Sequence, residues 1–301
     1  MVQRSEDCMV VSTVVIGLSI LIAVLAVVAS AAGIFWEFGT DPTTYVTERG
    51  EEVELYGQGL YRYDSLFRGA GFRGTDVIVI LIVAPLLLIS TYLYRRRSVP
   101  GGLLLLGALA FMVYNYASIS LSASFNQLFL LYVVLFSASL LAFFQLLRSF
   151  DVPSLSARFS ERLPRRFIAG YMIASGVVTA VVWLMPQIAW IVDDEIPERM
   201  DNATTMVTDV LDLGIIVPLT IISGVLLLRR DPRGYFVAFP LLMVVLLLVP
   251  MISAQTASQV TAGVTLSAGE IIGPLAGFIV LGSIGVWIIV RLLRDIAYPA
   301  T

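Results

Sequence analysis

Residues 75–101 read TDVIVILIVAPLLLISTYLYRRRSVPG, and 133 positions later residues 208–234 read TDVLDLGIIVPLTIISGVLLLRRDPRG. Twelve of the 27 aligned positions are identical, among them Thr75/Thr208, Asp76/Asp209, Pro85/Pro218, Ser90/Ser223, Arg96/Arg229 and Gly101/Gly234. Each copy is an apolar run that ends in an Arg cluster. A run of about 20 apolar residues is what a helix needs to cross a hydrocarbon layer ~30 Å thick. A second match lies downstream: Val134-Leu135, Ser137 and Leu146-Leu147-Arg148 return as Val280-Leu281, Ser283 and Leu292-Leu293-Arg294, now 146 positions on. The change of offset predicts about 13 extra residues between the seventh and eighth spans.

Working outward, the rest of the chain has the same character. It is 58% hydrophobic and 14% charged, with a mean hydropathy of +0.90, more apolar than a soluble core requires. Eight spans are expected, near 9–34, 76–94, 101–122, 127–148, 167–192, 209–228, 235–256 and 267–292. The expected fold is an all-α integral membrane protein of two parallel four-helix repeats. Residues 1–150 form the first unit, 151–166 a linker with Pro153, Ser154, Ser156, Ser160 and Pro164, and 167–301 the second unit. Four spans per unit is an even number, so both units share one orientation and their pseudo-twofold axis runs along the membrane normal. Ala29-Ser30-Ala31 has the form of a signal-peptidase site, but the repeat needs a first span to match the fifth.

All 19 basic residues are Arg, and the chain has no His. Schiff-base chemistry on Lys, His-zinc centres and Ser-His or Cys-His nucleophile pairs are thereby excluded. Cys8 is the single cysteine, so no intrachain disulfide or CxxC pair can form. No cofactor is expected, and no nucleic-acid role is assigned to the Arg-rich loops.

The Arg residues also set the orientation. Fourteen (Arg4, Arg95, Arg96, Arg97, Arg148, Arg158, Arg162, Arg165, Arg166, Arg229, Arg230, Arg233, Arg291 and Arg294) fall on one side of the eight spans; Arg49, Arg62, Arg68, Arg73 and Arg199 fall on the other. The positive-inside rule then puts both termini in the cytoplasm of a cell-membrane protein. The opposite side carries acidic loops: Glu37, Asp41, Glu48, Glu51, Glu52 and Glu54 in one, Asp193, Asp194, Glu195, Glu198 and Asp201 in another.

The sizeable loop, about 35–75, predicts a β-hairpin turning at Arg49-Gly50. After it, Leu60, Tyr63, Phe67 and Ala70 share a helical face, as expected of an amphipathic helix in the headgroup layer. The stretch Gly59-Leu60-Tyr61-Arg62-Tyr63-Asp64-Ser65-Leu66-Phe67, with the Thr75-Asp76 span start behind it, resembles uncharacterised prokaryotic multi-pass membrane proteins. That resemblance implies a multi-pass fold and brings no activity with it.

Polar residues in the spans are the candidate path or ligand groups. Asp209 and Asp212 are three apart on one helix face, where they suit either a cation or proton site or a cap at the helix start. Asp76 is the repeat partner of Asp209, whereas Val79 stands opposite Asp212. Glu270 follows Ser267 at capping-box spacing. Asn115 must find a partner inside lipid. Pro85 and Pro218 predict paired kinks, as hinges or as packing devices. These features suggest a non-enzymatic protein, a small permease with a path between the repeats that carries a small molecule or ion. The alternative is an accessory or sensor protein whose outer loop, 37–74, binds a ligand or a protein partner. A lipid-modifying enzyme using outer-face carboxylates is a third.

Overall fold

The computed structural model describes residues 8–39, 43–156, 159–160, 163–194, 196–197 and 199–297. Of the charges invoked for orientation, Arg4, Arg158, Arg162, Asp41, Glu195 and Glu198 lie outside the described residues.

Eight helices long and apolar enough to cross a membrane are present among the described residues. The first span is α1 (Thr13–Phe35). A hairpin follows, β1 (Thr44–Val46) and β2 (Glu52–Glu54), antiparallel with Tyr45 opposite Val53. Gly50 takes the left-handed φ of 85° that the turn requires. The second span comprises α2 (Leu66–Ile78), a π-helical turn (Val79–Val83) and α3 (Ala84–Arg95). Next come α4 (Val99–Ser122), α5 (Phe129–Leu147) and the short α6 (Val152–Ser156). The fifth span is α7 (Arg165–Asp193). The sixth comprises α8 (Val207–Leu211), a second π turn (Asp212–Ile216) and α9 (Val217–Leu228). Helices α10 (Arg233–Thr261) and α11 (Ala268–Ala297) complete the bundle.

The second and sixth spans break at the same place. Both π turns and both following helices sit 133 residues apart, residue for residue. After each, an Arg leaves the helix at φ 60°: Arg97 and Arg230. Pro85 and Pro218 occupy the second position of α3 and α9. A proline there has no N–H to give to the preceding turn and its ring crowds the carbonyl four residues back. A π turn, itself a common site of helix bending, lies immediately before each of these Pro-bearing helices.

Two sequence expectations need correction. The separate headgroup helix over Leu60–Ala70 is not formed. Residues 60–65 make a buried turn, and the Ser65 hydroxyl accepts from the Arg68 N–H at 3.2 Å to start a helix that runs on into the second span. The extra residues expected between the seventh and eighth spans do not form a longer loop either. The α4–α5 and α10–α11 loops are each six residues long, but α10 has 29 residues against 24 in α4, and α11 has 30 against 19 in α5.

Helix α4 is the most buried span, with 72% of its most apolar stretch inside the protein. It packs on α10, where Gly107 lies against Met243, amid the fully buried Leu105, Leu106, Leu109, Phe111 and Phe239. The lengthened α10 also lies along α2. A Cβ on Gly74 would stand 2.5 Å from the Ala254 carbonyl oxygen, Gln255 donates to the Thr75 hydroxyl at 2.7 Å, and Gln259 donates to the Phe67 carbonyl at 3.1 Å. Outward faces carry exposed Val24, Leu88, Leu141, Val181 and Ile279, as lipid contact requires.

At one end of the bundle the hairpin and the turn before α2 are both held by the α7–α8 connection. Ser65 donates to Asp201 at 2.5 Å, Asn202 to the Tyr63 carbonyl at 2.9 Å, and Arg49 to the Asp201 carbonyl at 2.7 Å. At the other end Tyr94 closes the chain start, accepting from the Ser12 N–H at 2.8 Å and donating to the Val10 carbonyl at 3.1 Å. Cys8 is buried there as a free thiol.

Candidate functional site

Asp209 and Asp212 lie at the hairpin end of the sixth span, and neither caps it. Met206 holds the N-cap position of α8 with no side-chain hydrogen bond. The helix starts earlier than Thr208, so neither carboxylate takes the N-cap position; Asp209 falls within the first turn, where an acid suits the helix dipole, and Asp212 opens the π turn. Both are buried, at 4% and 8% exposure. Asp209 Oδ2 accepts from Gln187 of α7 at 2.8 Å, while Asp209 Oδ1 is buried without a partner. Tyr114 of α4 and Trp183 of α7 face Asp212. The α4 side chain that meets the carboxylates is therefore Tyr114. Asn115 follows about 100° round the helix and is buried.

Asp209 opens onto a cavity of about 470 Å³. Gln187 and Trp190 of α7 form one wall. Met200, Thr204, Thr205 and Met206 of the connection into α8 form another, and Arg49 of the hairpin stands at the rim. The volume is that of a small-molecule pocket. Trp190 and Val210 are exposed on the outside of the bundle, so the cavity opens at the flank of the fifth and sixth spans, with Arg49 of the hairpin across from them. Arg49 is committed to Glu51 and to the Asp201 and Ala203 carbonyls. Asp209 thus remains as the lining residue with an incompletely paired carboxylate, its unpaired Oδ1 itself closed to solvent. A carboxylate beside Trp, Met and Thr suits a ligand with a cationic or N–H donor group on an apolar body. Arg49, Trp190 and Thr204 were missed by sequence reasoning; an Arg on the acidic side of the protein was the one signal available.

The remaining candidates fall elsewhere. Glu270 completes a capping box, with Ser267 N–H donating to Glu270 Oε2 at 2.8 Å and Glu270 N–H to Ser267 Oγ at 3.2 Å, and it pairs with Arg199 at 2.5 Å. Its acceptor capacity is spent on those partners. Asp76, aligned with Asp209 at the 133-residue offset, is 5% exposed. It is buried against Gly33, and Tyr61 donates to its Oδ2 at 2.7 Å. Among the described residues no cluster of three or more His, Cys, Asp or Glu could hold a metal ion. Comparison with protein-family models, curated proteins and solved structures finds no match for this chain.

Proposed function

We propose that this multi-pass membrane protein is a sensor or accessory protein that binds a small amphipathic cation on its extracytoplasmic face. The observation that carries the reading is the cavity at Asp209, bounded by Arg49 of the hairpin and containing one incompletely paired carboxylate. The hairpin side is read as extracytoplasmic because the Arg clusters Arg95–Arg97, Arg229-Arg230 and Arg291/Arg294 all lie at the opposite end. In this reading the chain is a duplicated four-span unit. The recurrence of π turn, Pro-bearing helix and left-handed Arg supports the duplication, and an axis along the membrane normal follows from the even number of spans.

The carrier reading draws on the paired π turns, which are sites where a span can bend. It requires a path between the units, and the α4–α10 seam is filled by Leu105, Leu106, Leu109, Phe239 and Met243. Ligand binding at the flank requires no such path.

The test is a fluorescence titration of the full chain in nanodiscs, reading Trp190 and Trp183. Tetrapropylammonium should quench saturably, and a neutral branched alcohol of similar size should not. Asp209→Asn should weaken the response about tenfold or more, as loss of one charge-assisted contact predicts. Equal responses to both probes, or an unchanged titration in Asp209→Asn, would overturn the reading.

A further inference from the structure

The first unit contains a second polar cluster, independent of the Asp209 cavity. Seven side chains from four spans and two loops converge beneath the hairpin: Ser30 of α1, Tyr61 and Asp64 of the turn before α2, Asp76 of α2, Tyr116 of α4, Asn126 of the α4–α5 loop and Tyr132 of α5. All are more than nine-tenths buried. Ser30 Oγ, Asp64 Oδ2, Asn126 Nδ2 and Tyr132 Oη have no hydrogen-bond partner. A buried polar atom left unpaired keeps the full penalty of its lost hydration, so four in one cluster require an explanation.

The groups facing Asp76 are hydroxyls. Ser30 faces it from α1, Tyr61 from the turn, Tyr116 from α4 and Tyr132 from α5. From α10, Gln255 is committed to Thr75. Arg73, one turn away on α2, is committed to the Tyr56 hydroxyl and the Ile34 carbonyl. No described guanidinium pairs with Asp76. An ionised carboxylate without a counter-charge is strongly disfavoured there. No group of three or more His, Cys, Asp or Glu that could hold a metal ion is found among the described residues. A proton on the carboxyl needs no extra space and adds the one missing donor, which Ser30 Oγ can accept.

The other unpartnered atoms lie toward the α4–α5 loop. Tyr132 is adjacent to Tyr61 and Asn126, within reach of both but without a well-formed hydrogen bond to either. Asp64 lies beyond, its Oδ1 accepting from the Ser124 N–H at 2.8 Å at the hairpin end.

We propose that Asp76 is a proton-binding site loaded from the hairpin end of the molecule through Asp64, Tyr132 and Tyr61. Each hydroxyl gives one proton inward and takes one from the side of Asp64, so the net change is one proton moved onto the Asp76 carboxylate. A water bridging Asp64 Oδ2 and the Tyr132 hydroxyl would complete the row and give both atoms a partner. Asn126 positions Tyr132.

Infrared spectroscopy of the full chain in nanodiscs at neutral pH tests this. A protonated-carboxyl C=O band is expected in the unmodified chain and in Asp64→Asn, and not in Asp76→Asn. Tyr132→Phe should keep the band but slow its downshift on transfer to heavy water by about tenfold or more. Tyr61→Phe removes the bond donated to Asp76 and should move the band frequency, which assigns it even if Asp76→Asn does not fold. Four results would each overturn the proposal: no band in the unmodified chain, a band that survives in Asp76→Asn, a band indifferent to Tyr61→Phe, or Tyr132→Phe exchanging at the unmodified rate. Loss of the band on adding sodium chloride at constant pH would mark a cation site and overturn it as well.

Discussion

Gly33 has no room for a side chain. Its position on α1 lets the Asp76 carboxylate and the Tyr61 hydroxyl approach the helix backbone, and a Cβ would fall 1.9 Å and 3.0 Å from them. Gly33→Ala should therefore lower the thermal midpoint in detergent or nanodiscs, by the equivalent of about 1–3 kcal/mol; an unchanged midpoint would mean that the α1–α2 seam yields freely. Asp64 is the residue with a readable pH signature. Burial raises its carboxyl to about 6, against the opposing pull of the Ser124 N–H and the Arg68 guanidinium. A carboxyl raised by folding binds its proton more tightly in the native state, so it contributes stability at low pH that is lost as pH rises through the window from about 4 to about 6. Asp64→Asn should flatten the dependence of the thermal midpoint on pH across that window. A midpoint that rises with pH there, equally in both proteins, would contradict the assignment. Neither Gly33 nor Asp64 stands out in the sequence, because each acquires its role from a partner distant along the chain.

Among the elements, α2 illustrates how packing overrides a local pattern. The face formed by Leu60, Tyr63, Phe67 and Ala70 suggested a helix lying flat. In the fold, Leu60 and Tyr61 are buried inside a turn, and Gly69, Gly71 and Gly74 let α2 stand upright against Tyr56 and α10. A larger residue at Gly74 meets backbone: the Ala254 carbonyl oxygen at 2.5 Å and Gln255 Cα at 2.6 Å. Gly74→Val should separate α2 from α10 and lower stability by several kcal/mol, at the overpacked end of core changes, read as loss of the folded peak in fluorescence-detected size exclusion. Normal yield and midpoint would show that this contact is dispensable. The π turns were legible only as prolines. The residue type announces a missing donor, but whether the helix answers with a kink or a wider turn depends on what surrounds it.

At the scale of the molecule, the orientation is open to direct measurement. In a Cys8→Ser background, single cysteines at Glu48 in the hairpin and at Arg229 after α9 are both exposed and lie at opposite ends of the bundle. An impermeant thiol reagent applied to intact cells should label the first and spare the second. Labelling of both, or of position 229 alone, would reject the extracytoplasmic hairpin and with it the outward-facing cavity. Asp76 and Asp209, aligned at the 133-residue offset, meet different surroundings: one is enclosed by hydroxyls beneath the hairpin, the other stands beside a cavity.

The sequence by itself determined the number of spans, the β-hairpin and the recurrence at 133 residues. These depend on apolar run length, turn chemistry and identity along the chain, all of which are local. It also singled out Asp76, Asp209 and Asp212, because a carboxylate in an apolar helix is conspicuous whatever surrounds it. Tertiary structure decided what those carboxylates meet. Tyr114 rather than Asn115 reaches Asp212, Gln187 takes half of Asp209, Arg199 and Ser267 take Glu270, and Arg49 reaches the cavity from a hairpin more than 150 residues upstream of Asp209. The physical reason is that a helix face or a span can be read from periodicity, whereas a site is made where faces of different helices meet. Which faces meet is set by small residues such as Gly33, Gly74 and Gly107, whose effect lies in the side chains they lack.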